Sequence, residues 1–189
     1  GSKARLSNRR YKLGQACKLR PRSVQTNASL WDFGRLHELS YWRNVGRKMK
    51  EIVVRGRKVV AGHAKGEALV TKEPISFMGG VDPTTGTVVE KGHELEGLCI
   101  TGKVLVFPMG KGSTGGSYMI YEMSKRGTGP IAILNQKAEP VVAIGAVISK
   151  IPMMDRFAES LNLVSTGDHV EINADTGLVK IFKQELGRS

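Results

Sequence analysis

Cysteine is close to absent from this 189-residue chain. Cys17 and Cys99 share no paired spacing, so neither a disulfide framework nor a CxxC metal site is indicated, and a reducing cytoplasm is the expected setting. Long apolar runs are missing as well. The longest, "VVAIGAVI" from Val141 to Ile148, falls far short of the ~20 residues that span a bilayer, and nothing has the form of a secretory apolar segment. A soluble protein without membrane contact is expected. Histidine is scarce: His37, His63, His93 and His169 lie scattered, with no Ser/His/acid arrangement or HExxH motif, and none is given a role. Acids are scarce only locally, where Asp32 and Glu38 stand against twelve Lys and Arg side chains in residues 1–48.

That imbalance locates the charge. The chain carries +12, of which the first 48 residues hold +10, while the remaining 141 hold +2 from 17 basic and 15 acidic side chains. Both tryptophans, Trp31 and Trp42, fall in the same basic segment. The composition thus breaks into an extension, residues 1–48, and a domain, residues 49–189. Gly1-Ser2 has the form of a cloning scar and is set aside. Three readings of the extension compete: an organelle-targeting segment, a basic nucleic-acid-binding arm, or translated upstream sequence. The last is preferred, because "MKEIVVRGRKVV" starts at Met49 directly with strand-like alternation.

After Met49, short runs rich in Val, Ile and Leu recur between glycine-containing turns. Strands are expected at Ile52–Val54, Val59–Val60, Ala68–Val70, Val88–Val89, Val104–Phe107, Ile131–Leu134, Val141–Ile148, Val170–Ile172 and Leu178–Phe182. Asp82-Pro-Thr-Thr-Gly86 and Asp175-Thr-Gly177 supply turn chemistry and lack the ligand spacing of a calcium loop. The clearest helix covers Ser117 to Arg126, with Ser117 as its cap, Lys125 and Arg126 at the negative end of the dipole and Gly127 as its stop. A shorter helix is expected over Asp155 to Asn162. Many short strands and few helices indicate an α/β or α+β fold with a compact barrel-like sheet.

The stretch "FPMGKGSTGGSY", Phe107 to Tyr118, sets a glycine-rich loop between a strand and that helix. Backbone N–H groups and a helix N-terminus converge there, which suits a carboxylate or phosphate, with Lys111 adding charge and Ser113, Thr114 and Ser117 adding hydroxyls. It is not a nucleotide P-loop, since Lys111 is followed by Gly112 rather than Ser or Thr. A purely structural turn is the competing reading. The stretch "SFMGGVDPTTG", Ser76 to Gly86, reads in the same two ways, as a hairpin with a close backbone approach or as part of a site.

Four stretches in fixed order carry a resemblance: "GEALVTKEPISFMGGVDPTTGTVVEKGHELEG", "GKVLVFPMGKGSTGGSYMIYEM", "AILNQKAEPVVAIGAVISKIPMMD" and "TGDHVEINADTG". From about Met49 to Phe182 the chain resembles the small subunit of the aconitase X family, also called the aconitase swivel-domain family. Its Lys-Gly-Ser-Thr-Gly-Gly-Ser loop is most similar to the version in archaeal phosphomevalonate dehydratases. The resemblance implies a swivelling β/β/α domain that closes over an active site whose four-iron four-sulfur cluster sits in a separate large subunit. A protein-held cluster of this kind needs at least three thiolates, and Cys99 is the only cysteine after the extension, so no cofactor or metal is expected on this chain. In such a family the cluster acts as a Lewis acid on the leaving hydroxyl while a base removes a proton from the neighbouring carbon.

The resemblance also implies roles. Ser113 is the expected base, with the backbone of Gly112, Thr114, Gly115 and Gly116 around it and Lys111 beside it to support an alkoxide. Ser117 competes, but its place suits capping. Gly79, Gly80 and Asp82 belong to the second motif, expected to contact substrate or interface. The implied function is one half of a heteromeric hydro-lyase that converts (R)-5-phosphomevalonate to trans-anhydromevalonate 5-phosphate in the archaeal mevalonate pathway. Its partners would be the large subunit and a phosphorylated hydroxy acid. One alternative is a hydroxyproline dehydratase of the same family; another is an RNA-binding protein that uses the basic extension with Trp31, Tyr41 and Trp42 as stacking platforms.

Overall fold

The computed structural model describes residues 49–156 and 161–184; the extension and its three readings lie outside them. In chain order the first strands are β1 (Met49–Arg55), β2 (Arg57–Val60), β3 (His63–Val70), β4 (Ile75–Ser76), β5 (Val81–Asp82) and β6 (Thr87–Val88). Then come β7 (Val104–Phe107), β8 (Gly110–Lys111), α1 (Gly115–Arg126), β9 (Ala132–Asn135), α2 (Pro140–Ser149), β10 (Met153–Asp155), β11 (His169–Asn173) and β12 (Leu178–Gln184).

One eight-stranded sheet runs β1-β12-β11-β3-β7-β9-β10-β2. Its centre, β3, β7, β9 and β10, is parallel, and the flanking pairs are antiparallel. β1 and β2 are separated by Gly56 alone yet stand at opposite ends of the strand order, so the sheet curls until its two edges approach. The Gly56 N–H donates to the Gly177 carbonyl at 3.1 Å, carrying the β1–β12 ladder one residue past Arg55 and Leu178. At the far end of β1, Met49 is the register partner of Gln184.

Strand alternation explains the layers. Val104, Val106, Ala132, Leu134 and Met154 face Val170, Ile172, Val179 and Ile181 inside the curl. Leu105, Phe107, Ile133 and Met153 face the other way, onto Ile120, Met123, Val142 and Ala146 of the helices. With both faces covered, β7 and β9 are buried along their whole length, as parallel strands between two layers must be. Each fully buried Leu, Ile or Phe contributes about 1.5–3 kcal/mol. The result is a sheet, a second sheet surface and a helical layer, the β/β/α arrangement expected.

Two sequence expectations are corrected. Val141–Ile148, read as a strand, lies within α2: Glu139 and Pro140 supply an N-cap and first-turn proline, and Lys150 ends the helix in the left-handed region at φ 55°. A run apolar on every side has no period to distinguish helix from strand. Asp155, expected to open a helix, ends β10; Leu161–Leu163 is a single 3-10 turn, and 157–160 lie outside the described residues. Arg57 on β2 donates from Nε and Nη2 to the two oxygens of the Asp155 carboxylate, at 2.8 and 2.6 Å, and holds it in strand register. No helix among the described residues is long and apolar enough to cross a membrane.

Candidate active site

The two glycine-rich stretches meet beyond the carboxyl end of β7. β4 and β8 pair in parallel, Ile75 opposite Gly110 and Ser76 opposite Lys111, which lays one stretch along the other. Phe77 packs edge-on to Phe107 at 6.0 Å between ring centres, so the second stretch is anchored on the strand that launches the loop. Buried Asn135 donates from Nδ2 to the Phe107 carbonyl at 3.0 Å and fixes that launching point. Beyond it, Gly112 takes φ +101°, a conformation side chains rarely adopt, and a Cβ there would lie 2.9 Å from Ser76 Oγ. Gly80 is equally constrained from the other stretch, since its Cβ would meet the Ser76 carbonyl oxygen at 2.3 Å.

Ser113 stands exposed at the tip. Its carbonyl accepts the Gly116 N–H at 3.0 Å, and its Oγ has no hydrogen-bond partner among the described residues. Thr114 occupies the N-cap of α1 without a side-chain cap bond, and the first turn contains no acid. The positive end of the dipole therefore faces the serine uncompensated. Gly115 and Gly116 form the first turn, with Gly116 buried against Val141. Ser117 is not the cap: its hydroxyl donates to the Val141 carbonyl at 2.7 Å and ties α1 to α2. The helix begins two residues earlier than its sequence signal because glycines here open the helix rather than precede it.

Lys111 is paired with an acid. Its Nζ sits 2.5 Å from Glu90 Oε1, in an ion pair between partly exposed side chains. Asp82 is likewise engaged, in the β5–β6 hairpin: Oδ1 accepts the Thr84 N–H at 2.8 Å and Oδ2 the Thr85 hydroxyl at 2.9 Å. These bonds, the Thr84 amide foremost, hold the Asp82 carboxyl below the usual range. Asp82 thus serves its own turn, while Ser76 and Met78 are the residues of that stretch that lie against the serine loop, at Gly112 and Gly115.

Two acids escaped the sequence reading. Glu139 caps α2, its oxygens accepting the Val141 and Val142 N–H groups at 2.9 and 2.7 Å, and it leaves no room for a side chain at Gly110. Glu-Pro ahead of an apolar run was the available signal. Glu90 had none, since only the folded hairpin brings it to Lys111. Among the described residues no group of three or more His, Cys, Asp or Glu could hold a metal ion, so the described residues do not fit an iron–sulfur cluster. A cleft of about 650 Å³ opens at the carboxyl ends of β3, β7 and β9, between Val70, Pro108, Gln136 and Val164.

Comparison with known proteins agrees with this architecture. The aconitase X swivel domain model matches residues 53–181. The phosphomevalonate dehydratase small subunit of Methanocella arvoryzae is 50% identical over 129 residues, covering 68% of this chain and 98% of that protein. That of Thermococcus gammatolerans is 50% identical, covering 68% and 97%. The crystal structure of Thermococcus kodakaraensis aconitase X in its holo-form superposes with a TM-score of 0.66 at 46% identity, over 70% of this chain and 99% of that one. A chain with this match across its described domain, this strand order and this serine loop belongs to the aconitase X swivel-domain family.

Proposed function

We propose that this chain is the small subunit of a phosphomevalonate dehydratase and supplies Ser113 as the base to an active site completed by a larger subunit. The observation that carries this reading is the 50% identity to a phosphomevalonate dehydratase small subunit across 98% of that protein. The exposed Ser113 on an uncapped helix start supports it.

Dehydration needs a proton taken from one carbon and a hydroxyl expelled from its neighbour. Ser113 Oγ takes the proton. Serine is a poor base unless its alkoxide is stabilised, and the loop's backbone N–H groups with the α1 dipole supply that stabilisation once water is excluded. The exposed loop cannot exclude water alone, so the larger subunit covers it. Assistance to the leaving hydroxyl, and the four-iron four-sulfur cluster, we assign to the partner. The substrate's phosphate and carboxylate suit the amides of Gly112 to Gly116, with Gly79 and Gly80 lining the opposite side.

The test is anaerobic co-purification with the larger subunit, followed by dehydration assays on 5-phosphomevalonate and on hydroxyproline. Turnover of the phosphorylated acid by the complex is expected, and failure of an intact complex to turn it over would remove the reading. Ser113→Ala should lower kcat by about 10²–10⁴-fold without loss of assembly. Near-wild-type kcat would take the base role away from Ser113.

A further inference from the structure

We propose that Glu90 is a positioning residue for the serine loop, acting through Lys111; the proposal rests on the dehydratase reading above. The loop needs such a device. Between β8 and α1, Ser113 Oγ makes no bond among the described residues and Thr114 makes no cap bond, so neither side chain fixes the backbone there. What holds the entry to this segment is the two-residue pairing of β4 with β8 and the Lys111–Glu90 ion pair, two residues before Ser113.

Glu90 is itself well held. Its N–H and that of Val89 both donate to the Gly80 carbonyl, at 3.2 and 2.9 Å. Its second carboxylate oxygen lies 3.0 Å from where a Gly80 Cβ would be, so the acid rests on a position kept bare of side chain. The pair is therefore a clasp between the two glycine stretches, with one jaw fixed to the Gly80 turn and the other moving with the loop. Because Glu90 neutralises Lys111, the lysine contributes location rather than free charge, and the substrate's anions are left to backbone amides.

The test uses the two-subunit complex with wild type and Ser113→Ala measured first. Glu90→Gln keeps shape but removes the charge, and should lower kcat by about tenfold while KM stays within about twofold, as expected when a reacting group is displaced rather than a binding group removed. Lys111→Met should lower kcat by a similar factor, and the double variant should be no worse than either single one, since both break one interaction. Assembly with the larger subunit is followed in parallel. Wild-type kcat in Glu90→Gln, multiplicative losses in the double variant, or a Lys111→Met defect confined to KM would each overturn the proposal while an inactive Ser113→Ala left the base assignment standing. An active Ser113→Ala would overturn both.

Discussion

Asp155 shows how one side chain can hold three segments. Only 2% of its side chain is exposed; it accepts both Arg57 bonds from β2 and, at 3.1 Å, the Ala138 N–H from the segment before α2. The Arg57 guanidinium, opposed by burial, holds the carboxyl below its ordinary value of 3.8. The unfolded chain thus binds the proton more readily, so the stability from this group is complete above that ordinary value and is lost as pH falls through the lowered folded one. Asp155→Asn should cost about 1–3 kcal/mol at neutral pH. Chemical denaturation of both proteins should show the difference narrowing as pH drops below 3.8. A difference that does not depend on pH would mean the cost is steric. At this scale the glycine turn ahead of α1 was legible, because glycines clustered between a strand and a helix have few uses in that order. Sequence was a poor guide to Glu90, Glu139 and Asp155, whose roles exist only once distant segments meet.

Between elements, the contact that matters most for the loop is α1 on α2. A Cβ at Gly145 would lie 2.7 Å from Ile120 Cδ1 and 2.9 Å from Ile120 Cβ, so the helices touch where no side chain intervenes. Gly145→Ala should force them apart at about 1–3 kcal/mol. Since α1 bears the serine loop at its N-terminus, kcat should fall in the same variant; thermal unfolding and turnover together check this. Full activity at lowered stability would show the loop to be indifferent to helix placement. The strands and the end of α1 were legible because turn glycines, alternation and the Gly127 stop mark their bounds. α2 was not, because its solvent side is also apolar, with Ile144, Val147 and Ile148 about half exposed, which erases the period that would announce a helix. A curled sheet was legible in the many short strands, but the place where it opens was not, since nothing in the local pattern states that β1 and β2 part company at Gly56.

For the whole molecule, the match to the family begins at residue 53 and the basic charge ends before Met49. Deleting residues 1–48 should leave thermal unfolding and dehydration by the complex unchanged, while abolishing any salt-sensitive retention on immobilised RNA, which depends on the +10 removed. Lost turnover would make the extension part of the enzyme. The pairing of Met49 with Gln184 bears on more than stability. It brings entry and exit of the domain to one corner, a single strand spacing of about 5 Å apart, on the side of the sheet built from β1 and β12 rather than at the serine loop. A module whose ends coincide in this way can be grafted into, or appended to, a longer polypeptide without unpicking its topology. Its own two ends could be joined by a tight turn, so the domain is open to circular permutation as well as to insertion.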